Sequence, residues 1–157
     1  MTTQTLLAES AAPPESFHDC HVHGLSWLRN EFCFSMKLNY ILKWIAPSAP
    51  QTSFRFLISE ASLTFHDVDE LKLSLDWSES ALDLEIAALT VRTSRTTPTG
   101  RPQRLFEFDL AQPNGRITLW SSSYSVLLIG EAVISDVASR RGTSYTKLRS
   151  HWNRRPW

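Results

Sequence analysis

The sequence predicts an all-β fold, a single antiparallel meander of about seven or eight strands that closes into a barrel or folds as a sandwich. Apolar and polar residues alternate along several segments, short clusters of turn-forming residues separate these segments, and no amphipathic helix is evident before residue 136. Strands that follow one another this closely pair antiparallel, because a parallel crossover needs about a dozen residues or more.

The longest alternating segment is EFCFSMKLNYILKWI, residues 31–45, which follows FHDCHVHGLSW through a turn at Arg29-Asn30. Its apolar row predicts one half-buried strand face and consists of Phe32, Phe34, Met36, Leu38, Tyr40, Leu42 and Trp44. Further strands are predicted over residues 54–65, 71–77, 82–94, 104–110 and 117–135. Asn114-Gly115 is the strongest hairpin turn signal in the chain.

Composition and charge divide the chain into a flexible leader over residues 1–16, an all-β domain over 17–136 and a basic tail over 137–157. The tail is expected to be disordered or to form a short helix. Residues 1–136 carry 10 Lys or Arg and 16 Asp or Glu, a net charge of −6, whereas the tail carries +6. An acidic body of this kind favours a basic partner.

Several features indicate a cytoplasmic protein. There are only two cysteines, Cys20 and Cys33, whose predicted separation of about 20 Å along the strands excludes a disulfide between them. The start of the chain does not resemble a signal peptide, and no run of about 18 apolar residues could cross a membrane. Phosphate-binding and dinucleotide-binding loops are also missing, so no cofactor is expected.

The stretch FHDCHVHG, residues 17–24, concentrates potential metal ligands. Asp19, His21 and His23 resemble the first-strand motif of the amidohydrolase superfamily, in which His-x-His supplies two metal ligands from one side of a strand. That resemblance implies a metal-dependent hydrolase, but it also implies a (β/α)₈ barrel of about 250 residues, for which this chain is too short. A cupin site also uses His-x-His, but it requires a glutamate where this chain has Ser26 and Trp27.

A hairpin turning at Arg29-Asn30 would place His21 opposite Leu38 and His23 opposite Met36. Both imidazoles would then lie at the rim of the core, where a neutral histidine with one hydrogen-bond partner is usual. A metal site would require the second FHD triplet, residues 65–67, to bring His66 alongside them. The alternative function is therefore a small metalloprotein or metal-dependent hydrolase that uses His21, His23 and His66, with Asp19.

Two charged segments have simpler interpretations than a ligand site. The acid-rich stretch FHDVDELKLSLDWSES, residues 65–80, lacks the spacing of a calcium loop and is interpreted as a solvated acidic edge. The tail combines arginines with Tyr145, Trp152 and Trp157, a mixture that can bind nucleic acid weakly by charge and stacking. We expect the tail instead to be mobile or to lie on the acidic body.

The segments FHDC-x-VHGLSW and FRFLISEASLTFHDVDELKLSLDWS are similar to a family of small bacterial proteins of unknown function, some of which are regarded as immunity proteins. The resemblance covers about residues 17–136 and implies no catalytic residues. It implies a non-enzymatic cytoplasmic binding protein, and specifically an immunity-type inhibitor of a basic protein partner. This is the main functional hypothesis from the sequence.

Overall fold

The computed structural model describes residues 4–76, 78 and 84–136. Three short 3₁₀ helices occur in this part of the chain: η1 (Glu9–Ala11), η2 (Pro14–Phe17) and η3 (Arg29–Glu31). The described strands are β1 (Thr5–Leu7), β2 (His21–Leu28), β3 (Cys33–Ile45), β4 (Arg55–His66), β5 (Asp69–Leu75), β6 (Leu84–Thr96), β7 (Pro102–Gln112), β8 (Gly115–Ser121), β9 (Ser123–Leu128) and β10 (Val133–Ser135). Among the described helices, none has the length and apolar character needed to cross a membrane.

These ten strands form one antiparallel sheet in the order β1-β9-β4-β3-β2-β6-β7-β8-β5, with β10 paired to β4. The predicted all-β antiparallel fold is thus confirmed, and the sheet is not closed into a barrel. Two meanders, β2-β3-β4 and β6-β7-β8, meet where β2 pairs with β6. Only two residue pairs, His21–Glu85 and Val22–Leu84, connect them at this point.

A second connection between the meanders runs through a bent ribbon of two strand pairs. The β4–β9 pairing reaches His66 opposite Ser123, and the β5–β8 pairing begins at Asp69 opposite Trp120. At the bend, the backbone N–H of Ser122 donates to the His66 carbonyl across 3.1 Å. In this ribbon β4 continues into β5, and β8 continues into β9, so each of its two chain segments connects one meander to the other. The inner faces of the two meanders can therefore pack against each other.

The apolar alternation of β3 is confirmed in its central part, where the buried residues are Phe34, Met36, Leu38 and Tyr40. The two ends of the predicted row are exposed. Phe32 precedes the strand in a left-handed conformation, with φ of 51°. A register shift in the β3–β4 pairing leaves Leu42 without a partner, and it and Trp44 are exposed.

An aromatic cluster joins the two meanders in the core. The ring of Phe65 on β4 lies 5.0 Å from Phe106 and 5.7 Å from Phe108, both on β7. Tyr124 on β9 completes the cluster, with its ring centroid 5.4 Å from Phe65 and 5.6 Å from Phe106. Phe65, Phe106 and Phe108 are fully buried, so the cluster contributes much of the apolar area that the sheet buries.

The N-terminal segment differs from the flexible leader that the sequence suggested. β1 pairs with β9, and Ala12 and Phe17 are fully buried in the core. The Tyr124 hydroxyl donates a 2.7 Å hydrogen bond to the Ala12 carbonyl, and the Tyr40 hydroxyl donates to Ser16 Oγ across 2.9 Å. These long-range contacts order a stretch whose prolines and small residues resemble a linker in sequence. The basic tail, 137–157, lies outside the described residues.

The predicted hairpin joins β7 to β8, but its turn residues are Pro113 and Asn114, and Gly115 is the first residue of β8. Gly115 lies between Leu110 of β7 and Leu75 of β5. A Cβ atom at Gly115 would lie only 2.3 Å from the Ser74 carbonyl oxygen, so the close approach of β5 requires glycine here.

Candidate functional site

The first histidine pair does not form the predicted arrangement. His23 is an extra residue at a register shift between Val22 and Gly24, and its side chain is exposed. The β2–β3 loop is also two residues longer than predicted, since Leu28 pairs with Cys33. Together these differences place Val22 opposite Leu38 and His21 opposite Asn39, so the predicted pairing is wrong. The His21 imidazole is partly buried, and its Nε2 lies 3.7 Å from Glu85 Oε2.

His66 lies in a different part of the sheet from His21. Its Nε2 is 2.9 Å from Ser125 Oγ, and its Nδ1 is 3.7 Å from Cys33 Sγ. The row of His21 and Asn39 continues to Glu60 on β4, six residues before His66 and therefore about 20 Å from it along the strand.

Asp19, the remaining predicted ligand, adopts a left-handed conformation, with φ of 62°. Its Oδ1 lies 3.0 Å from His18 Nδ1. The four predicted ligands are therefore not brought together. Within the described part of the chain, no group of three or more His, Cys, Asp or Glu side chains is placed to hold a metal ion.

Both cysteines are buried, and both thiols are free. Burial, with a smaller contribution from the negative charge of Asp19, raises the pKa of Cys20 to about 12. Burial also raises the pKa of Cys33, with a contribution from the negative charges of Glu31 and Asp67. A nucleophilic cysteine needs a lowered pKa, so the Cys33–His66–Ser125 arrangement lacks the electrostatics of an activated thiol.

The acid-rich stretch that follows β4 is largely neutralised by arginines. Arg95 contacts Asp69 at 2.9 Å and Glu70 at 2.5 Å, and its guanidinium also stacks over Trp120 at 4.2 Å. Its hydrogen bond to Glu70 lowers the pKa of that carboxyl. Arg101 pairs with the neighbouring Asp67 at 2.8 Å. Three acids of the predicted acidic edge, Asp67, Asp69 and Glu70, are therefore partly exposed but paired with arginines.

Three other acids lie where η2 meets β6: Glu15, Asp19 and Glu85. The backbone N–H of Asp19 donates to the Ile86 carbonyl, which fixes this segment beside β6. Among the described residues, no Lys or Arg side chain forms an ion pair with any of the three acids. Their described charged partners are the histidines His18 and His21.

A groove of about 410 Å³ opens between η2 and β6 beside these acids. Its walls are mostly apolar and consist of Pro14, Glu15, His18, Ala87, Ala88, Leu89, Thr90 and Val91. The volume falls within the range of roughly 300–1,000 Å³ that is usual for ligand sites. An apolar groove with a carboxylate in its wall can accept an apolar group that carries a nearby cation. We name this surface, with Asp19 and Glu85 included, the acidic groove.

No local sequence pattern predicts the acidic groove, because its two walls are about 70 residues apart in the chain. The repeated FHD triplet is a local signal of a different feature, a positive backbone φ. Phe17 ends η2 and Phe65 lies in β4, but the two FHD triplets share two features: both phenylalanines are fully buried, and Asp19 and Asp67 both have positive φ. Aspartate tolerates this backbone region better than most residues, so each triplet ends a buried segment with a sharp change of direction.

No model of a protein family matches the chain. A search of curated proteins finds no match either. Among solved structures, the chain is similar to an uncharacterised protein from Neisseria gonorrhoeae, with a TM-score of 0.40 and 8% sequence identity. This similarity covers 79% of the present chain and 96% of the other, and at this score it carries no argument about function.

Proposed function

We propose that this protein is a non-enzymatic binding module whose acidic groove holds a basic region of a protein partner. The observation that carries the proposal is the grouping of Glu15, Asp19 and Glu85 beside an apolar groove, with no described Lys or Arg paired to them. The acids Asp67, Asp69 and Glu70 of the other acidic stretch are engaged by Arg101 and Arg95, unlike the acids of this groove.

The two properties of the groove support different stages of binding. Carboxylates on an exposed surface speed the encounter with a positively charged protein, an effect that weakens with salt beyond a Debye length of about 10 Å at 0.1 M. The apolar walls, which include Leu89 and Val91, supply short-range burial that slows dissociation once the partner is seated. Charge thus determines mainly the rate of association, and the groove determines the lifetime of the complex.

We further propose that the protein acts in the bacterial cytoplasm as an immunity-type inhibitor that covers the basic surface of a toxin. This finer proposal rests on the similarity of the two FHD-containing segments to small bacterial proteins, some of them regarded as immunity proteins. The buried free thiols of Cys20 and Cys33 are compatible with a reducing compartment.

The test is a calorimetric titration with the purified products of the genes that flank its own, at about 50 mM and about 500 mM NaCl. The double variant Glu15→Gln/Glu85→Gln is compared with Glu31→Gln, which removes an exposed carboxylate from η3 outside the groove. We expect the double variant to weaken binding about tenfold or more at low salt and the control to weaken it less than about twofold.

Two results would contradict the proposal. One is that no flanking-gene product binds with an affinity that falls as salt rises. The other is that Glu31→Gln weakens binding as much as the double variant, since the acids of the groove would then have no special part in recognition.

A further inference from the structure

The edge of β6 that borders the acidic groove is open over most of its length. β7 pairs with one side of β6 almost throughout, from Glu85 to Thr96. On the other side, β2 pairs only with Leu84 and Glu85. The next backbone contact comes from the Asp19 N–H, which donates to the Ile86 carbonyl. Beyond Ile86, no strand among the described residues pairs with this side of β6.

Because η2 lies opposite this open edge, the edge forms one wall of the acidic groove. Pro14, Glu15 and His18 face residues 87–91 of β6 across the groove of about 410 Å³. Unpaired N–H and C=O groups along an edge strand are a template for another extended chain, and strand addition is a common mode of peptide recognition. The groove beside the edge can hold every second side chain of such an added strand, because alternate side chains point to the same face.

Beyond Val91, the edge of β6 is protected against the addition of another strand. A register shift between Val91 and Thr93 bends β6, and the intervening Arg92 donates two hydrogen bonds to Glu107 on β7. Bulges and charged side chains are the usual means of preventing extended pairing at sheet edges. A second register shift leaves Ala87 as an extra residue between Ile86 and Ala88. The accessible template is therefore short, lies within residues 87–91, and is regular from Ala88 to Val91.

We propose that the partner binds by inserting an extended segment alongside residues 87–91 of β6, with an apolar side chain in the groove and a Lys or Arg beside Glu15. The proposal rests on the proposed function, because it uses the same acids, but it adds the backbone as a recognition element. Charge complementarity selects a basic segment as the occupant, since Asp19 and Glu85 pair with histidines and no ion pair of Glu15 occurs among the described residues.

The experiment uses the full chain and two synthetic probes. The first is the capped peptide Lys-Val-Lys-Val-Lys-Val-Lys, and the second has the same side chains with the amide N–H of each valine replaced by an ester oxygen. Hydrogen exchange followed by mass spectrometry reports protection of residues 87–91, and calorimetry reports affinity. We expect the amide peptide to slow exchange in this segment and to bind about tenfold more tightly than the ester. Glu15→Gln should weaken the two probes equally.

Several outcomes would overturn strand addition, and they are distinguishable from failure of the proposed function. Equal, salt-sensitive binding of both probes would refute it and leave charge-based partner binding intact. If neither probe bound a protein that still binds a flanking-gene product, strand addition would also be refuted and partner binding would stand. Protection of residues 87–91 before any probe is added would assign the edge to another occupant. Loss of that protection in Arg154→Gln/Arg155→Gln would identify the tail, and loss on dilution would identify a second copy.

Discussion

Phe65→Ala is the most informative perturbation of the fold, because Phe65 joins the two meanders. Its ring is fully buried and lies within 5.7 Å of Phe106, Phe108 and Tyr124. Removing such a ring from a packed core costs about 3–5 kcal/mol in the free energy of unfolding. With a urea m-value of about 2 kcal/mol/M, the unfolding midpoint should fall by about 2 M.

Two variants separate the loss of the aromatic contacts from the loss of apolar volume. Phe65→Leu keeps most of the volume and loses the ring contacts, so we expect it to cost about 1–2 kcal/mol. Phe32→Ala is the control, because Phe32 is 61% exposed and should cost less than about 1 kcal/mol. Equal midpoints for Phe65→Ala and Phe32→Ala would refute the view that this cluster holds the meanders together.

Three further predictions concern titration, anchoring and metal content. Burial raises the pKa of Cys20 from 9.0 to about 12, so the unfolded chain loses this proton first and stability should fall above about pH 9 by up to about 1.4 kcal/mol per pH unit. Urea titrations at about pH 8 and about pH 10 should show a smaller loss for Cys20→Ala, and an identical loss would contradict the assignment. Tyr124→Phe removes the hydrogen bond to Ala12, which should cost about 1 kcal/mol and speed amide exchange over residues 9–17; unchanged exchange there would count against the anchoring. Since His66 lies about 20 Å along β4 from the row of His21, chelation with EDTA should leave the melting temperature unchanged, and a fall of more than about 4 °C would contradict this.

Local sequence patterns predicted the local features of the fold. The alternation from Phe34 to Tyr40 depends only on strand geometry and burial, and it is present in β3. The Asn114-Gly115 signal depends on a two-residue preference, and it marks the hairpin between β7 and β8, although the turn itself is at Pro113-Asn114. Features of this kind are determined by neighbours in sequence, so a single sequence is enough to predict them.

The register error in the β2–β3 hairpin has two causes. The loop spans four residues, 29–32, rather than Arg29-Asn30 alone, so Trp27 pairs with Phe34 and Leu25 with Met36. The extra residue His23 then reverses the parity of the residues before it in β2, which places His21 opposite Asn39. Leu42 has the same effect near the end of β3. Neither residue carries a local signal of a bulge, because the shift depends on how the neighbouring strands pair.

Pairings between strands that are distant in sequence could not be predicted from local patterns. β5 pairs with β8 rather than with its neighbours in sequence, and this brings Asp69 and Glu70 within reach of Arg95. An acidic stretch that looked exposed is thereby neutralised. The acidic groove depends on η2 meeting β6, which neither segment specifies alone.

The most direct test of the account is the difference in partner affinity between Glu15→Gln/Glu85→Gln and Glu31→Gln, measured by titrating each with the flanking-gene product that binds the native chain. The account predicts about a tenfold or greater gap at low salt that shrinks as salt is raised. Equal affinities at low salt would contradict the claim that the acidic groove is the binding surface.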